Sequence, residues 1–232
     1  MITITGDTHG AADRFDDARL RKLNKGDFLI VCGDFGYLWN GGKPEEKLLQ
    51  RLGKKKYHIL FVDGCHENYD LLKAYPVSEW NGGKVQQISG NLYHLLRGQV
   101  YELEGKKLFA FGGGESGDKQ MYVDMDKWWP QEMPSLEEMT EGIQNLKRAG
   151  MAVDYIVTHS PAPRMNLHKR DYSLEKNQLE MFFEQLAKNV KFERWFFGSL
   201  HVDRKITAAY QSVFSDIVIA NPEDGKKRKE TL

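Results

Sequence analysis

Aspartate, histidine and glycine occur together in short motifs that are spread along the 232-residue chain. Asp7 and His9 lie in Gly-Asp-Thr-His-Gly at 6–10, and Asp34 follows Gly33. Three later motifs are Gly-Cys-His-Glu with Cys65 and His66, Thr-His-Ser-Pro with His159, and Gly-Ser-Leu-His with Ser199 and His201. Carboxylate and imidazole ligands together suit manganese, iron or zinc better than calcium or magnesium. The motifs therefore predict a site for one or two divalent transition-metal ions.

Asp34 has two carboxylate oxygens and can therefore bridge two metal ions. Two ions about 3.5–4 Å apart clamp a phosphate group and lower the pKa of a bound water, which generates the attacking hydroxide. A site of this kind suits chemistry at a phosphate group.

Each motif comes directly after a segment that the sequence predicts to be a buried strand. The predicted strands are 1–5, 28–32, 57–62, 153–158 and 195–197. The first three alternate with predicted helices at 11–23 and 45–52, an order that favours a mainly parallel sheet covered by helices. Because the loops after parallel strands gather at the carboxyl edge of a sheet, we expect the five motifs to meet there.

The rest of the chain contains shorter strand and helix patterns. They predict a strand at 92–93, a hairpin from 99–103 and 107–111, a helix from the capping box of Ser135 and Glu138 to 148, a helix at 173–190, and hairpin strands at 206–210 and 212–219. Residues 115–134 are long, irregular and aromatic, and we expect them to determine substrate specificity. We expect one domain over 1–220 and a flexible basic tail over 221–232.

The composition restricts the class of protein. Lys plus Arg equals Asp plus Glu at 33 each, so net charge gives no support to nucleic-acid binding, which stays an open alternative. No apolar run approaches the twenty or so residues that a membrane helix needs. The chain has two cysteines and no basic start followed by an apolar stretch, so we expect a cytoplasmic protein without a disulfide framework.

The five motifs, in this order, resemble those of the calcineurin-like metallophosphoesterase family, and the resemblance spans 7–201. It implies an α/β fold of four layers, αββα, in which two mixed β-sheets are flanked by helices. It also implies that Asp7, His9 and His201 bind one metal ion. By the same resemblance, Asp34 bridges to a second ion.

The resemblance also assigns two further histidines. His159 matches a ligand of the second metal ion. His66 matches the histidine that contacts the substrate phosphate and protonates or stabilises the leaving oxygen, so it is the predicted catalytic residue. The position three residues after Asp34 is acidic in the protein serine/threonine phosphatases of this superfamily and is Tyr37 here, which disfavours that substrate class.

Two positions depart from the family's motifs. Cys65 occupies the place of an asparagine, and Ser199 occupies the place of a histidine. In the family both positions serve the second metal ion. A cysteine thiolate can replace an amide oxygen and favours a softer ion such as zinc, whereas serine is a poor metal ligand. We therefore expect one tightly bound ion at the first site and a weaker or empty second site.

Two functions from different classes follow from these motifs. The first is a metal-dependent hydrolase that cleaves a phosphomonoester or phosphodiester by attack of a metal-bound hydroxide. The alternative is a metal-binding member of the same fold with weakened turnover, which serves as a ligand-binding or interaction module. The departures at Cys65 and Ser199 motivate this alternative.

Overall fold

Thirteen strands and five α-helices make up the described part of the computed structural model, which covers residues 1–11, 13–165, 176–221 and 223. The strands are β1 Ile2–Thr5, β2 Phe28–Cys32, β3 His58–Val62, β4 Val77–Trp80, β5 Gly83–Ser89, β6 Leu92–Leu95, β7 Gln99–Leu103, β8 Lys106–Phe111, β9 Tyr155–Thr158, β10 Arg194–Phe197, β11 Arg204–Lys205, β12 Tyr210–Ser212 and β13 Val218–Ile219. The helices are α1 Lys43–Gly53, α2 Tyr69–Lys73, α3 Lys119–Asp124, α4 Leu136–Arg148 and α5 Gln178–Asn189.

The strands form two mixed sheets. The first has seven strands in the order β13-β1-β2-β3-β6-β5-β4, and the second has six in the order β11-β12-β10-β9-β8-β7. Strands β1, β2, β3 and β6 run parallel in the first sheet, and β8, β9, β10 and β12 run parallel in the second. Antiparallel strands complete both sheets.

Alternation of side chains along the central strands builds three apolar layers. In β2, Ile30 contributes to a core cluster shared by both sheets, whereas Leu29 belongs to a cluster with Leu49 of α1. In the second sheet, Ile156 belongs to a third cluster that includes Phe183 of α5. This is the period-two pattern of a strand buried on both faces. Helices therefore cover the outer face of each sheet, which confirms the predicted four-layer αββα class.

Local sequence signals located several elements correctly. The turn at Glu104 and Gly105 joins β7 to β8, and both residues have the positive φ of a tight hairpin turn. Ser135 accepts a hydrogen bond from the backbone N–H of Glu138 and begins α4, so the capping box is confirmed. The helix predicted at 173–190 is observed as α5, although 173–175 lie outside the described residues. The basic tail also lies almost entirely outside them.

Two predictions of secondary structure were wrong, and one hairpin was missed. The helix expected at 11–23 is replaced by two short 3-10 helices, Arg14–Asp16 and Leu20–Lys22. Between them, the Asp17 carboxylate accepts the backbone N–H of Arg19 at 2.7 Å, and such local bonds compete with helix formation. The β4–β5 hairpin around Asn81 was missed.

The last two strands do not form the expected hairpin with each other. Strand β12 pairs with β10 in the second sheet, whereas β13 pairs with β1 in the first. Both strands are only two or three residues long, so their pairing depends on distant partners. Within the described residues, no helix is both long and apolar enough to cross a membrane.

Candidate metal centre

The loops after five strands meet at one edge of the two sheets. Strands β1, β2, β3, β9 and β10 end there, and each is followed by one of the motifs. All eight predicted site residues lie in these loops: Asp7, His9, Asp34, Cys65, His66, His159, Ser199 and His201. The carboxyl ends of parallel strands commonly form ligand sites. The topology therefore brings together the residues that the motifs singled out.

Asp7, His9 and His201 form an outer group of possible metal ligands. Nε2 of His9 lies 3.1 Å from Nε2 of His201, which is 3.2 Å from Oδ2 of Asp7. Two imidazole nitrogens this close need a shared proton or a shared cation between them. The His9 and His201 side chains are 39% and 54% exposed, so this group faces the cleft opening.

Asp34, Cys65 and His159 form an inner group with the same potential. Sγ of Cys65 lies 3.6 Å from Nε2 of His159 and 3.8 Å from Oδ2 of Asp34. Oδ1 of Asp34 is 3.7 Å from the same histidine nitrogen. Tetrahedral coordination by a sulfur and a nitrogen at zinc bond lengths separates the two donors by about 3.6 Å. The donor set of the inner group therefore fits a divalent ion.

A backbone hydrogen bond orients His159 toward the inner group. Nδ1 of His159 lies 3.0 Å from the carbonyl oxygen of Cys32. Because a carbonyl oxygen can only accept a hydrogen bond, Nδ1 must carry a proton. When a metal ion binds, loss of the proton on Nε2 would leave a lone pair there that is directed at Cys65 and Asp34. Metal-binding histidines commonly donate their other N–H to a carbonyl in this way.

His66 lies between two carboxylates. Its Nδ1 is 2.8 Å from Oδ2 of Asp34, and its Nε2 is 3.0 Å from Oδ1 of Asp118. Burial opposes protonation of His66, but its bonds to Asp34 and Cys65 outweigh burial and raise its pKa to about 12. The ring is therefore a cation that donates to both carboxylates.

The charges of the site lower the pKa values of its central carboxyl groups. Burial alone would raise the pKa of Asp34, but the positive charges of His159 and His66 outweigh it and lower that pKa. Burial also opposes ionisation of Asp7, whose pKa is lowered by bonds to His159 and His201. Both aspartates are consequently ionised and able to bind cations.

Glycine lets two ligand loops pass close to the carboxylates. A Cβ atom on Gly64 would lie 1.9 Å from Oδ1 of Asp34, and one on Gly198 would lie 2.1 Å from Oδ1 of Asp7. Real Cβ atoms do not approach other atoms so closely. Only glycine fits at these two positions while the carboxylates keep their places.

The two positions that depart from the family's motifs differ in what they offer. Cys65 places its sulfur among the donors of the inner group. Ser199 instead contacts Asp7 through its backbone N–H, at 2.9 Å from Oδ2. Tyr37 is buried, and its hydroxyl donates to the carbonyl oxygen of Ala11, away from the site. Ser199 and Tyr37 thus position the loops without adding a ligand side chain.

Sequence reasoning missed several side chains that surround His66. Asp118 supplies a carboxylate at His66 although it belongs to the irregular segment 115–134. The Tyr122 ring of α3 lies 4.7 Å from the His66 ring, between centroids. Glu67 is buried and accepts the backbone N–H of Phe35 at 2.7 Å, while burial and the Asp34 charge raise its pKa to about 8. The aromatic composition of 115–134 was the available signal.

The four-layer fold and the cluster of possible metal ligands agree with the family that the five motifs resemble. A family model described as calcineurin-like phosphoesterase matches residues 1–203, so the chain belongs to the calcineurin-like phosphoesterase family. No curated protein gives a significant match.

Solved structures provide a more distant comparison. One similar structure is that of a Staphylococcus aureus protein, assigned provisionally as a 5′-nucleotidase, in complex with alpha-ketoglutarate. It is 13% identical, with a TM-score of 0.48, over 93% of this chain and 49% of that one. The chain thus spans about half the length of that protein.

Proposed function

We propose that the protein hydrolyses a small phosphate ester at a centre of one or two divalent metal ions. The observation that supports this best is the convergence of Asp7, His9, Asp34, His159 and His201 from four separate loops. Family membership supports the general activity. The sequence alone left the donor geometry open, and the ligand atoms of each group lie within 4.8 Å of one another, which is compatible with binding of a shared cation.

We assign the outer ion to Asp7, His9 and His201, and the inner ion to Cys65 and His159. Asp34 would serve both, since its Oδ2 lies 3.9 Å from Nε2 of His9 and its Oδ1 lies 3.7 Å from Nε2 of His159. When bound, such ions neutralise phosphate charge and lower the pKa of water. Manganese, iron or zinc suits the outer nitrogen and oxygen donors, and zinc suits the thiolate best.

We assign to His66 the role of general acid at the leaving oxygen. It is half-buried and lies directly beside the carboxylate of Asp34. Nε2 points to Asp118, whose carboxylate side chain is exposed and can move aside. A substrate oxygen that takes the place of Asp118 would receive the same N–H. Such general acids typically contribute 10²–10⁴-fold to the rate.

The assay that tests this function uses aryl phosphate mono- and diesters with added manganese. We expect turnover that chelation abolishes and that Asp34→Asn lowers strongly, because that change weakens both groups of ligands. The alternative, an interaction module with weakened turnover, predicts tight binding of one ion and no hydrolysis with any divalent metal. The double variant Cys65→Asn with Ser199→His restores the family's motifs. A strong rise in rate and metal content would show that the inner site limits this chain.

A further inference from the structure

A row of aromatic side chains extends from His66 toward solvent. The ring centroid of Tyr122 lies 4.7 Å from that of His66. The Trp39 ring follows at 5.9 Å from Tyr122, and the Trp129 ring at 6.0 Å from Trp39. We call Trp39, Tyr122 and Trp129 the aromatic row. All three side chains are half-buried, so each ring keeps part of its surface open.

The loops that carry the metal centre also hold the aromatic row in place. The backbone N–H of Trp39 donates to Glu45 at 3.0 Å, and its carbonyl accepts the side-chain amide of Asn68 at 2.8 Å. Asn68 comes two residues after His66 in the chain. Nε1 of Trp129 donates to Asp70 at 2.7 Å. Two rings are therefore fixed relative to the proposed catalytic histidine.

Packing of the protein interior does not account for the row. Helix α3, which carries Tyr122, contains no buried residue among those described. The neighbouring Met121 is 49% exposed. Half-exposed rings with a polar anchor are typical of binding surfaces, because they offer large contact area at low cost in conformational entropy.

We propose that the aromatic row binds a planar ring in the leaving group of the substrate. This proposal rests on the proposed function, since it takes His66 as the group at the leaving oxygen. A ring attached directly to that oxygen would reach Tyr122, and a ring separated from it by a sugar would reach Trp39 and Trp129. The substrate class is therefore an aryl or nucleoside phosphate ester, in preference to an aliphatic one.

Equilibrium binding of non-hydrolysable phosphonates tests this class without requiring turnover. Calorimetry on the manganese-loaded protein would compare phenylphosphonate, methylphosphonate and the phosphonate analogue of adenosine monophosphate. We expect each ring-bearing ligand to bind at least about 5-fold more tightly than methylphosphonate, because stacking on one aromatic ring contributes a gain in affinity of this size. Preference for phenylphosphonate points to an aryl ester, and preference for the adenosine analogue to a nucleotide.

Variants of the row separate stacking from damage to the metal centre. Tyr122→Leu should shrink the phenyl-to-methyl affinity ratio, and Tyr122→Phe should retain it. Trp129→Leu should weaken only the adenosine analogue. The matched control is Met121→Ala on the same helix, which should leave all three affinities unchanged. Equal affinities for methylphosphonate and both ring-bearing ligands in the parent protein would overturn the proposal. If the protein prefers the ring-bearing ligands but hydrolyses no ester, the binding role of the aromatic row is supported and the proposed function is contradicted.

Discussion

Cys65 places a sulfur atom where the family's motif has an asparagine, and that sulfur lies 3.6 Å from Nε2 of His159. The replacement keeps a donor at the inner group but makes it softer. Ser199 removes an imidazole and leaves only a backbone N–H at Asp7. On the proposed assignment the two departures would act differently: Cys65 would change which ion the inner group prefers, and Ser199 would reduce the number of its ligands.

Cobalt spectroscopy tests whether Cys65 is a metal ligand. Cobalt(II) bound to a thiolate has a ligand-to-metal charge-transfer band in the near ultraviolet. We expect this band in the parent protein and its loss in Cys65→Ser and Cys65→Asn, with cobalt still bound at the outer group. The matched control is Cys32→Ala, because Cys32 is buried and contributes its carbonyl, not its sulfur, to the site. A band that persists in Cys65→Ser would contradict the assignment.

At the scale of the elements, the site depends on where strands end. Asp34, His9 and His201 all have positive φ, a left-handed conformation that is uncommon for non-glycine residues. Gly64 and Gly198 bring their loops against the carboxylates of Asp34 and Asp7. The strand ends and the glycines together therefore determine where the possible metal-ligand atoms lie.

A glycine substitution tests this positioning. In Gly198→Ala, the added Cβ would lie 2.1 Å from Oδ1 of Asp7 and 2.5 Å from the carbonyl oxygen of Cys32. We expect a loss of about 1–3 kcal/mol in the free energy of unfolding and weaker metal binding. Denaturant unfolding and metal titration measure the two effects.

The control for Gly198→Ala is Gly117→Ala. A Cβ at Gly117 has nothing within 4 Å, and its φ lies outside the strained range. We expect a change of less than about 0.5 kcal/mol in unfolding free energy and no change in metal affinity. Equal metal affinities in the two variants would show that contact with Asp7 does not govern the site.

The sequence was sufficient to predict the strands that carry the site, because four of the five apolar runs are followed within two residues by a glycine, and the run at 153–158 is followed directly by His159. It was insufficient for contacts between distant segments. Asp118 meets His66 across 52 positions in the chain, and no local periodicity marks that contact. Strand β13 has two residues, too few for any pattern, and its partner β1 lies at the other end of the chain. The ligand roles of the individual side chains stay predictions.

At the scale of the whole molecule, both sheets contribute to a shared inner core. Ile30 of the first sheet and Val157 of the second belong to the same buried cluster. This continuity supports the prediction that 1–220 form one domain. The cytoplasmic location also stays a prediction, and nucleic-acid binding stays an open alternative.

His58 gives the fold a titratable group far from the metal centre. Its ring stacks on Phe28 at 5.3 Å between centroids, and its Nδ1 is buried without a hydrogen-bond partner among the described residues. Burial lowers the pKa of His58 below the usual 6.5. As the pH falls through 6.5, the unfolded chain therefore takes up a proton before the folded protein does, and stability decreases.

His58→Phe tests this pH dependence. Phenylalanine keeps the stacked ring and removes the titration. We expect the parent protein to lose stability relative to the variant as the pH falls from 8 toward the folded pKa of His58, with a constant difference above about pH 7.5. Urea unfolding of both proteins across this range measures it. A stability difference that does not change with pH would show that His58 titrates alike in the folded and unfolded chains.

The most direct test of the account is a manganese titration of chelator-treated protein, with bound metal and phosphoesterase rate measured on the same samples. We predict no hydrolysis before metal is added and a rate that rises with occupancy. Asp34→Asn should bind less metal and stay nearly inactive. Hydrolysis that is unchanged by chelation, or full metal occupancy without hydrolysis of any ester, would contradict a metal-dependent phosphoesterase.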